Sequence, residues 1–372
     1  MSEWQTFCLK DLGKIIGGAT PPTNNPKNYG NKISWITPKD LSTLQGRYIK
    51  KGSRSISRLG FKSCSCVLLP KHAILFSSRA PIGYVAIAEK RLCTNQGFKS
   101  IIPNKKIYFE FLYYLLKYHK DNISNIGGGT TFKEVSGATL GLFKVKIPPT
   151  YHEQQKIART LSILDQKIEN NHKINELIQT LAYKIYEYYF KHKPKNAKLE
   201  QIILENPKSS IMVKDAQKTQ DKYPFFTSGD NILSYPKALI DGRNCFLNTG
   251  GNAGIKFYVG KASYSTDTWC ICANEFSDYL YLLLSNIKNH INQSFFQGTS
   301  LKHLQKNLLK KYPIYMPSKH EIKQFNEIVM PLLTLISINT RTSKKLEQIR
   351  DFLLPLLLKQ QVKPKNQKQN QK

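Results

Sequence analysis

The sequence has few acidic residues, and this scarcity is its most informative feature. Only 25 Asp and Glu stand against 56 Lys and Arg, so the formal net charge is +31. An excess of this size predicts a polyanionic partner: nucleic acid, an anionic membrane surface or acidic proteins.

Long apolar runs and targeting signals are also missing. No run reaches the roughly 18 to 20 apolar residues that a membrane helix needs. The N-terminus, MSEWQTFCLKDLGKIIGG, carries acidic residues and no apolar core, so it is not a secretory signal. We therefore expect a cytoplasmic protein without a membrane partner.

Motifs for catalysis and for metal binding are absent as well. Cys64 and Cys66, like Cys270 and Cys272, are separated by one residue, which is closer than zinc ligands usually stand. There is no GxxxxGK[ST] phosphate loop, no HExxH and no GxSxG. The segment IleProProThrTyr at 147–151 has Ile where amino-methyltransferases carry Asn or Asp. The sequence predicts a protein that binds rather than catalyses, with no catalytic residue, metal site or cofactor of its own.

The remaining sequence divides into two similar halves. A length of 372 residues exceeds what one hydrophobic core usually serves. In each half, strand-like runs are separated by Gly, Pro, Asn and Ser, and a strand that ends at Pro148 or Pro317 precedes a helical pattern. We predict globular domains at 1–150 and 194–318, long helices at 151–193 and 319–360, and a Lys-rich disordered tail at 361–372.

The two helical patterns have matching apolar seams, 168 residues apart. Each seam steps by four and three residues and has polar residues at its middle, so the helices can pair antiparallel with the polar layers in register. The predicted pairing residues are Ile157, Leu161, Leu164, Ile168, Asn171, Asn175, Ile178 and Ile185 in the first helix, and Phe325, Val329, Leu332, Ile336, Asn339, Ser343, Leu346 and Leu353 in the second. Independent helices, each packed on its own domain, are the alternative. Pro331 and Pro355 predict a break and a kink in the second helix.

These features together predict the fold class. We expect an α+β protein in which two globular mixed α/β domains are separated and linked by two long antiparallel coiled-coil helices, as a pseudo-twofold duplication. A helix of about 40 residues would be roughly 60 Å long.

Polar loops are also duplicated. GlyGlyGlyThrThrPheLys at 127–133 corresponds to GlnGlyThrSerLeuLys at 297–302, and LeuPheSerSerArgAlaProIleGlyTyr at 75–84 corresponds to PheLeuAsnThrGlyGlyAsnAlaGlyIle at 246–255. Small hydroxyls beside Lys can hold a phosphate, and Arg or Asn can pair with the edge of guanine or adenine. Turns without any nucleic-acid contact remain the alternative.

The order of these motifs resembles a known family. ProPro-x-x-HisGluGlnGlnLysIleAla from residue 148, continuing into LeuSerIleLeuAspGlnLysIleGlu at 161–169, is repeated in degenerate form near residue 320. IleGlyGlyAlaThrProProThrAsn at 16–24 is followed by IleSerTrpIleThrProLysAspLeu at 33–41. Together they resemble the specificity subunit of type I restriction-modification enzymes.

The resemblance implies partners and a division of labour. Each target-recognition domain would read one half of a split site in double-stranded DNA. The helices would dock two methyltransferase (modification) subunits, which bind S-adenosylmethionine, and restriction (translocase) subunits would use ATP and Mg. The second half lacks the TrpIleThrPro segment and begins instead with TyrProPhePheThrSerGlyAsp at 223–230, so two different half-sites and an asymmetric target are expected.

Candidate DNA contacts are the polar and basic residues of the predicted loops. They are Thr37, Lys39, Arg54, Arg58, Arg79, Thr130 and Lys133 in the first domain, and Thr227, Ser228, Arg243, Asn248, Asn252, Thr299 and Lys302 in the second. An alternative function is a non-enzymatic coiled-coil scaffold that binds nucleic acid or acidic partners without sequence specificity.

Overall fold

The computed structural model describes residues 3–79, 81–129, 133–216 and 222–362. The chain divides into two compact units, of which unit 1 comprises residues 1–170 and 343–372 and unit 2 comprises residues 171–342. The predicted disordered tail, 361–372, lies outside the described residues apart from its first two positions.

Unit 1 is a mixed α/β unit. Its described strands are β1 Gln5–Cys8, β2 Gly13–Gly17, β3 Tyr29–Ile36, β4 Tyr48–Ile49, β5 Arg54–Ile56, β6 Ile74–Phe76, β7 Val85–Ala88, β8 Cys93–Thr94, β9 Lys99–Pro103 and β10 Lys144–Ile147. Its shorter helices are α1 Leu9–Leu12, α2 Pro38–Ser42, α3 Arg58–Lys62, α4 Phe109–Asn125 and α5 Gly137–Leu142. The strands form a five-stranded sheet in the order β2-β9-β6-β7-β4, a three-stranded sheet β5-β3-β8 and the pair β1-β10.

The first long helix, α6, is Tyr151–Phe190. It begins where the prolines predict, because Pro148 and Pro149 end the preceding strand and Thr150 accepts a hydrogen bond from the Glu153 amide at 3.2 Å. The side chain of Gln154 is buried and spans two segments. It accepts from the Tyr108 amide at 2.8 Å and donates to the Lys106 carbonyl at 3.0 Å, which fixes the start of α6 against the entry to α4.

Unit 2 repeats this arrangement. Its described strands are β11 Ala197–Lys198, β12 Leu204–Glu205, β13 Tyr223–Phe226, β14 Leu233–Tyr235, β15 Arg243–Asn248, β16 Ile255–Val259, β17 Ser263–Tyr264, β18 Thr268–Cys272, β19 Phe296–Gln297, β20 His303–Leu304 and β21 Pro313–Ile314. Its shorter helices are α7 Val213–Ala216, α8 Ser277–Asn286, α9 Lys288–Ser294 and α10 Lys306–Lys310.

The sheets of the two units share a topology. The antiparallel order β18-β15-β16 corresponds to β9-β6-β7. In unit 1, β3 pairs antiparallel with β5 and parallel with β8; in unit 2, β13 pairs antiparallel with β14 and parallel with β17. The duplicated α+β class that the sequence predicts is confirmed, and the repetition extends beyond the helices to the strand order.

The second long helix, α11, is Lys319–Leu358. Ser318 and Glu321 form a capping box, since the Ser318 amide donates to Glu321 at 2.9 Å and the Glu321 amide donates to the Ser318 hydroxyl at 3.3 Å. The predicted break at Pro331 is wrong, because α11 continues as a helix through both Pro331 and Pro355. Pro331 is exposed, so its ring projects away from the core and the helix tolerates the lost donor.

The long helices pack in both units. In unit 1, Ile157 and Leu161 of α6 share one hydrophobic core with Leu354 and Leu357 of α11. Buried residues of α4 belong to the same core. In unit 2, Phe190 lies 5.0 Å from Phe325 between ring centroids.

The polar middle of the seam is paired in unit 2. Asn339 donates to the Asn175 side chain at 2.9 Å, and Asn175 donates to the Ile336 carbonyl at 3.4 Å. Contacts on α11 move toward its start as those on α6 move toward its end, so the helices run antiparallel.

The burial of the predicted pairing residues follows the seam. Buried members are Ile157, Leu161, Ile168, Ile178, Phe325, Val329 and Ser343, and half-buried members are Leu164, Asn171, Asn175, Ile185, Leu332, Ile336, Asn339, Leu346 and Leu353. In the described part of the chain all seven cysteines are free thiols, and no helix has both the length and the apolar content to cross a bilayer.

Candidate nucleic-acid interface

Two polar loops meet in unit 1. The Val135 amide donates to the Ser78 carbonyl at 3.0 Å, and the backbones of Arg79 and Glu134 form a β-bridge. The loop that follows β6 is therefore joined to the segment that follows the Gly-rich turn at 127–129. Thr130 lies outside the described residues.

Arg79 is held in this loop by an ion pair. Its Nε lies 2.9 Å from Glu134, whose other carboxylate oxygen lies 3.3 Å from the Lys99 ammonium. Burial raises the pKa of Glu134, but the hydrogen bonds from Arg79 and Lys99 outweigh it and lower the pKa overall. About half of the Arg79 side chain remains exposed, so the guanidinium is accessible to a ligand.

The segment around Trp35 is a rigid support beside these loops. Trp35 is buried and donates to the Ala19 carbonyl at 3.0 Å. Thr37 caps α2, where both its amide and its hydroxyl donate to Asp40 at 2.7 Å. Asp40 also accepts from the Ser53 amide at 2.7 Å, which ties this cap to the strand that carries Arg54. The hydroxyl proton of Thr37 is therefore used within the protein.

Unit 2 joins its corresponding loops in the same way. The Gly251 amide donates to the Lys302 carbonyl at 2.9 Å, and the Leu304 amide donates to the Thr249 carbonyl at 3.0 Å. The Ser228 and Thr249 hydroxyls both donate to the Asp267 carbonyl. Three loops thus converge at the end of β15.

A half-buried lysine, Lys256, organises this loop surface. The Lys256 ammonium donates to the carbonyls of Thr227 at 2.7 Å and Gly229 at 2.6 Å, and to Asn248 at 3.4 Å. Burial lowers the pKa of Lys256. Asn248 is itself buried and donates to the Asn252 carbonyl at 3.1 Å, so its amide shapes the turn.

Two predicted DNA contacts, Asn248 and Arg243, have side chains that are engaged within unit 2. Asn248 and Arg243 stand at opposite ends of β15, about 17 Å apart for a strand of this length. Arg243 forms an ion pair with Asp278 and donates to the Thr334 hydroxyl at 2.9 Å and the Met330 carbonyl at 3.2 Å. Arg243 therefore binds the helices rather than facing solvent beside the loops. As DNA contacts these two residues stay predictions, as do Thr37, Thr227 and Ser228, whose hydroxyls form hydrogen bonds within the protein.

The other predicted contacts are exposed. They are Lys39, Arg54, Arg58, Arg79 and Lys133 in unit 1, and Asn252, Thr299 and Lys302 in unit 2. The Arg54 guanidinium also lies over the Tyr29 ring, 4.2 Å from its centroid, which presents it from a defined direction.

Lys99, Glu134 and Lys256 were missed from the sequence. Lys99 precedes SerIleIle and Lys256 precedes PheTyr, and nothing in either run distinguishes the lysine from an ordinary solvent-facing strand residue. Only the pairing of the loops reveals their role. In the described parts of the chain no group of His, Cys, Asp and Glu is arranged to hold a metal ion.

The fold and these loops define a class: a duplicated α+β protein with one surface of joined polar loops in each unit. The family described as type I restriction modification DNA specificity domain matches residues 1–180 and again residues 195–348. The MjaIX specificity subunit of Methanocaldococcus jannaschii is 32% identical over 403 residues, which cover 96% of this chain and 93% of that protein.

Two further similarities come from Mycoplasma genitalium. A putative type I specificity subunit is 23% identical over 331 residues, covering 82% of this chain and 80% of that protein. The crystal structure of a type I restriction-modification S subunit from M. genitalium matches with a TM-score of 0.62 and 18% identity, covering 98% of this chain and 97% of the other; this is a likeness of fold.

This chain belongs to the type I restriction-modification specificity family. Members of that family confer DNA sequence specificity on a larger complex and are recognition subunits rather than catalysts. The resemblance of the motifs at 33–41 and 148–169 to this family is thereby confirmed.

Proposed function

We propose that this chain reads a bipartite, asymmetric DNA site, with one half read by the loops of each unit. The main support is that both units join the same two loops, whereas the exposed side chains of these loops differ between the units. Unit 1 presents Arg79 beside Lys133, whereas unit 2 presents Asn252 beside Thr299 and Lys302. Arg favours guanine and Asn favours adenine, so the two loop surfaces are suited to different half-sites.

The exposed basic residues supply the contacts to phosphate. Lys39, Arg54 and Arg58 flank the Trp35 segment in unit 1, and Lys302 lies next to the glycine turn of unit 2. These contacts position the duplex and give binding a strong salt dependence. The long helices, each roughly 60 Å long, would set the distance between the half-sites along a duplex of about 34 Å per turn.

The helices also suit docking of two modification subunits. On α6 the side chains of Ile174, Leu177, Leu181 and Tyr188 are exposed at helical spacing, with Leu177 at 71% and Tyr188 at 86%. An exposed apolar stripe of this length favours a protein partner. The partner would bind S-adenosylmethionine and methylate adenine, and restriction subunits that use ATP and Mg would join the same complex.

Selection of bound DNA tests the recognition proposal. The chain, co-expressed with the modification subunit, is incubated with random-sequence duplexes, and the retained duplexes are sequenced. We expect a split motif with two different half-sites. Retention without any enriched motif would contradict the proposal and favour a scaffold that binds nucleic acid without sequence specificity.

Substitution of the apolar stripe tests the docking proposal. Leu177→Ser with Tyr188→Ser should abolish co-purification with the modification subunit, because both side chains are exposed and their loss leaves the core intact. Lys173→Ser on the same helix is the matched control. An undiminished complex with the double variant would contradict docking at this stripe.

A further inference from the structure

An arginine, buried in unit 1 and half-buried in unit 2, links the globular part of each unit to a long helix. In unit 1, Arg47 lies just before β4 and only 3% of it is exposed. Its guanidinium donates to Glu110 at 2.9 Å and to Glu169 at 3.1 Å, and its amide also donates to Glu169 at 2.9 Å. Glu110 is in the first turn of α4 and Glu169 is on α6, so one side chain joins sheet, domain helix and long helix.

The neighbours of Arg47 are fully engaged. Tyr48 and Tyr108 donate to Glu110 at 2.7 and 2.9 Å. Asp165, which lies 3.9 Å from Arg47, accepts from the Tyr114 hydroxyl and pairs with Arg350 of α11 at 2.7 Å. The network includes both long helices of unit 1, so a shift of the sheet relative to α6 would break several charge-assisted hydrogen bonds at once.

Unit 2 contains the same connection built from a different strand. Arg243 pairs with Asp278 through two nitrogens and donates to Thr334 of α11. Asp278 is in the first turn of α8 and stands 168 residues after Glu110, the spacing of the helix seams. Arg243 begins the central strand β15, however, whereas Arg47 precedes the edge strand β4. The two units therefore have the same connection between sheet and helix, but the arginine comes from a different strand in each.

A glycine precedes the arginine in both units. Gly46 and Gly242 have φ of +137° and +93°, which L side chains rarely adopt. A Cβ on Gly46 would also lie 3.3 Å from the Glu169 side chain, so the chain must approach the helix closely there. In each GlyArg pair the glycine therefore allows the backbone turn that directs the guanidinium toward the long helix.

We propose that Arg47 and Arg243 are positioning residues that fix the direction in which each loop surface faces the DNA, and thereby the number of base pairs allowed between the half-sites. This inference rests on the proposed function. Bidentate and forked arginine contacts are directional, unlike apolar packing, so they suit a role in orientation. The loops that face DNA lie at the other end of β15 from Arg243, where a small rotation produces the largest displacement.

The test uses variants that should leave the unit folded but remove the paired hydrogen bonds of the guanidinium. Arg47→Lys and Arg243→Lys keep the charge, and Arg243→Met with Asp278→Leu replaces the ion pair by apolar side chains, an exchange that is often neutral for stability. Arg91→Met is the matched control, because Arg91 is exposed and follows the end of β7 that is remote from the loop at 77–84.

Each variant is co-expressed with the modification subunit, and methylated adenines are mapped across the host genome. The genome supplies every spacing of the two half-sites, so the fraction methylated is read at each spacing. We expect wild type and Arg91→Met to prefer one spacing over spacings that are one base pair longer or shorter. In the variants at Arg47 and Arg243, the ratio of the methylated fraction at the preferred spacing to that at its neighbours should fall about tenfold. The bases within each half-site should not change.

The outcomes separate the two proposals. If wild type yields no split motif, the proposed function fails. If wild type yields a split motif and the folded double variant keeps the same single spacing, Arg243 does not position the loops and this inference is overturned. Relaxed base preference at unchanged spacing would overturn it too, because that result assigns the arginines to base reading.

Discussion

Substitution of Arg79 and of its partner Glu134 tests whether the first loop surface reads bases. In Arg79→Ala the guanidinium is lost, and a bidentate contact to guanine is worth about 1 to 3 kcal/mol. In the free protein Arg79 is paired with Glu134 at 2.9 Å with half of its side chain exposed, and breaking a pair of this kind costs about 0.2 to 1 kcal/mol. The net loss of specific binding should therefore be about 1 to 2 kcal/mol, or roughly 5- to 30-fold.

Glu134→Gln should act in the opposite direction. The carboxylate accepts from both Arg79 and Lys99, so its neutralisation releases two cations and removes a negative charge from the surface proposed to contact DNA. Binding to every duplex should become stronger, and the slope of log affinity against log salt should steepen by up to about one. For Arg79→Ala the matched control is Arg91→Ala, which removes one positive charge away from the loops.

Fluorescence anisotropy measures both effects. The intact complex is titrated with a duplex that carries the selected motif and with one whose first half-site is scrambled. Arg79→Ala should weaken binding to the first duplex and leave the second nearly unchanged. An equal loss on both duplexes, or none, would refute base reading by Arg79.

Three further predictions concern the connections within the units. Arg243→Met alone leaves Asp278 buried without its cation, so urea unfolding should register a loss of about 3 to 5 kcal/mol, mostly restored by adding Asp278→Leu; a loss near zero would contradict the connection. Asn339→Leu removes the donor to Asn175 and should cost about 1 to 2 kcal/mol, whereas leucine at both positions should recover it, and additive losses would contradict direct pairing. The pKa of Glu321 is lowered to about 2 by hydrogen bonds from the Ser318 amide and the Tyr315 hydroxyl, so its contribution is complete above the unfolded value of 4.5 and is lost as pH falls through 2. Glu321→Gln should therefore be less stable than wild type by about 1 kcal/mol at pH 6 and by much less at pH 2, and a difference independent of pH would contradict this assignment.

The long helices were predictable because their signal is local. A seam of apolar residues at steps of four and three depends only on helix geometry, and the capping residues Thr150 and Ser318 follow the prolines directly. The sequence predicted that the polar layers of the two seams could meet in an antiparallel pair, and the hydrogen bond between Asn339 and Asn175 lies in these layers. The continuous helix at Pro331 was not predicted, because whether a proline is tolerated depends on which face of the helix it occupies.

The connections between sheet and helix were not predictable. Arg47 and Glu169 are separated by 122 residues, and Tyr108 and Gln154 by 46, so no local pattern marks either contact. Gln154 stands in the HisGluGlnGln motif that carried the family resemblance, and the structure gives a physical reason for that residue. Its buried amide bonds three backbone groups: the Tyr108 amide and the carbonyls of Lys106 and Pro148.

The candidate interface was predictable as a set of loops but not residue by residue. The turn at 127–133 precedes Glu134 and Val135, which join the loop after β6, and the turn at 297–302 ends at Lys302, which joins the loop after β15. The ion pair of Arg243 with Asp278 was not predicted, because AspGlyArgAsn at 241–244 has the composition of a turn, whereas its arginine already begins β15. Polar side chains in a basic chain become DNA contacts or internal supports according to neighbours that are distant in sequence.

The central claim is that each half of the chain reads its own half of a split DNA site. The most direct measurement exchanges residues 1–150 for those of another specificity subunit, co-expresses the chimera with the modification subunit, and maps methylated adenines by single-molecule sequencing. We predict a split motif in which one half changes and the other half is retained. A motif that changes in both halves, or a stable DNA-bound complex without any motif, would contradict it.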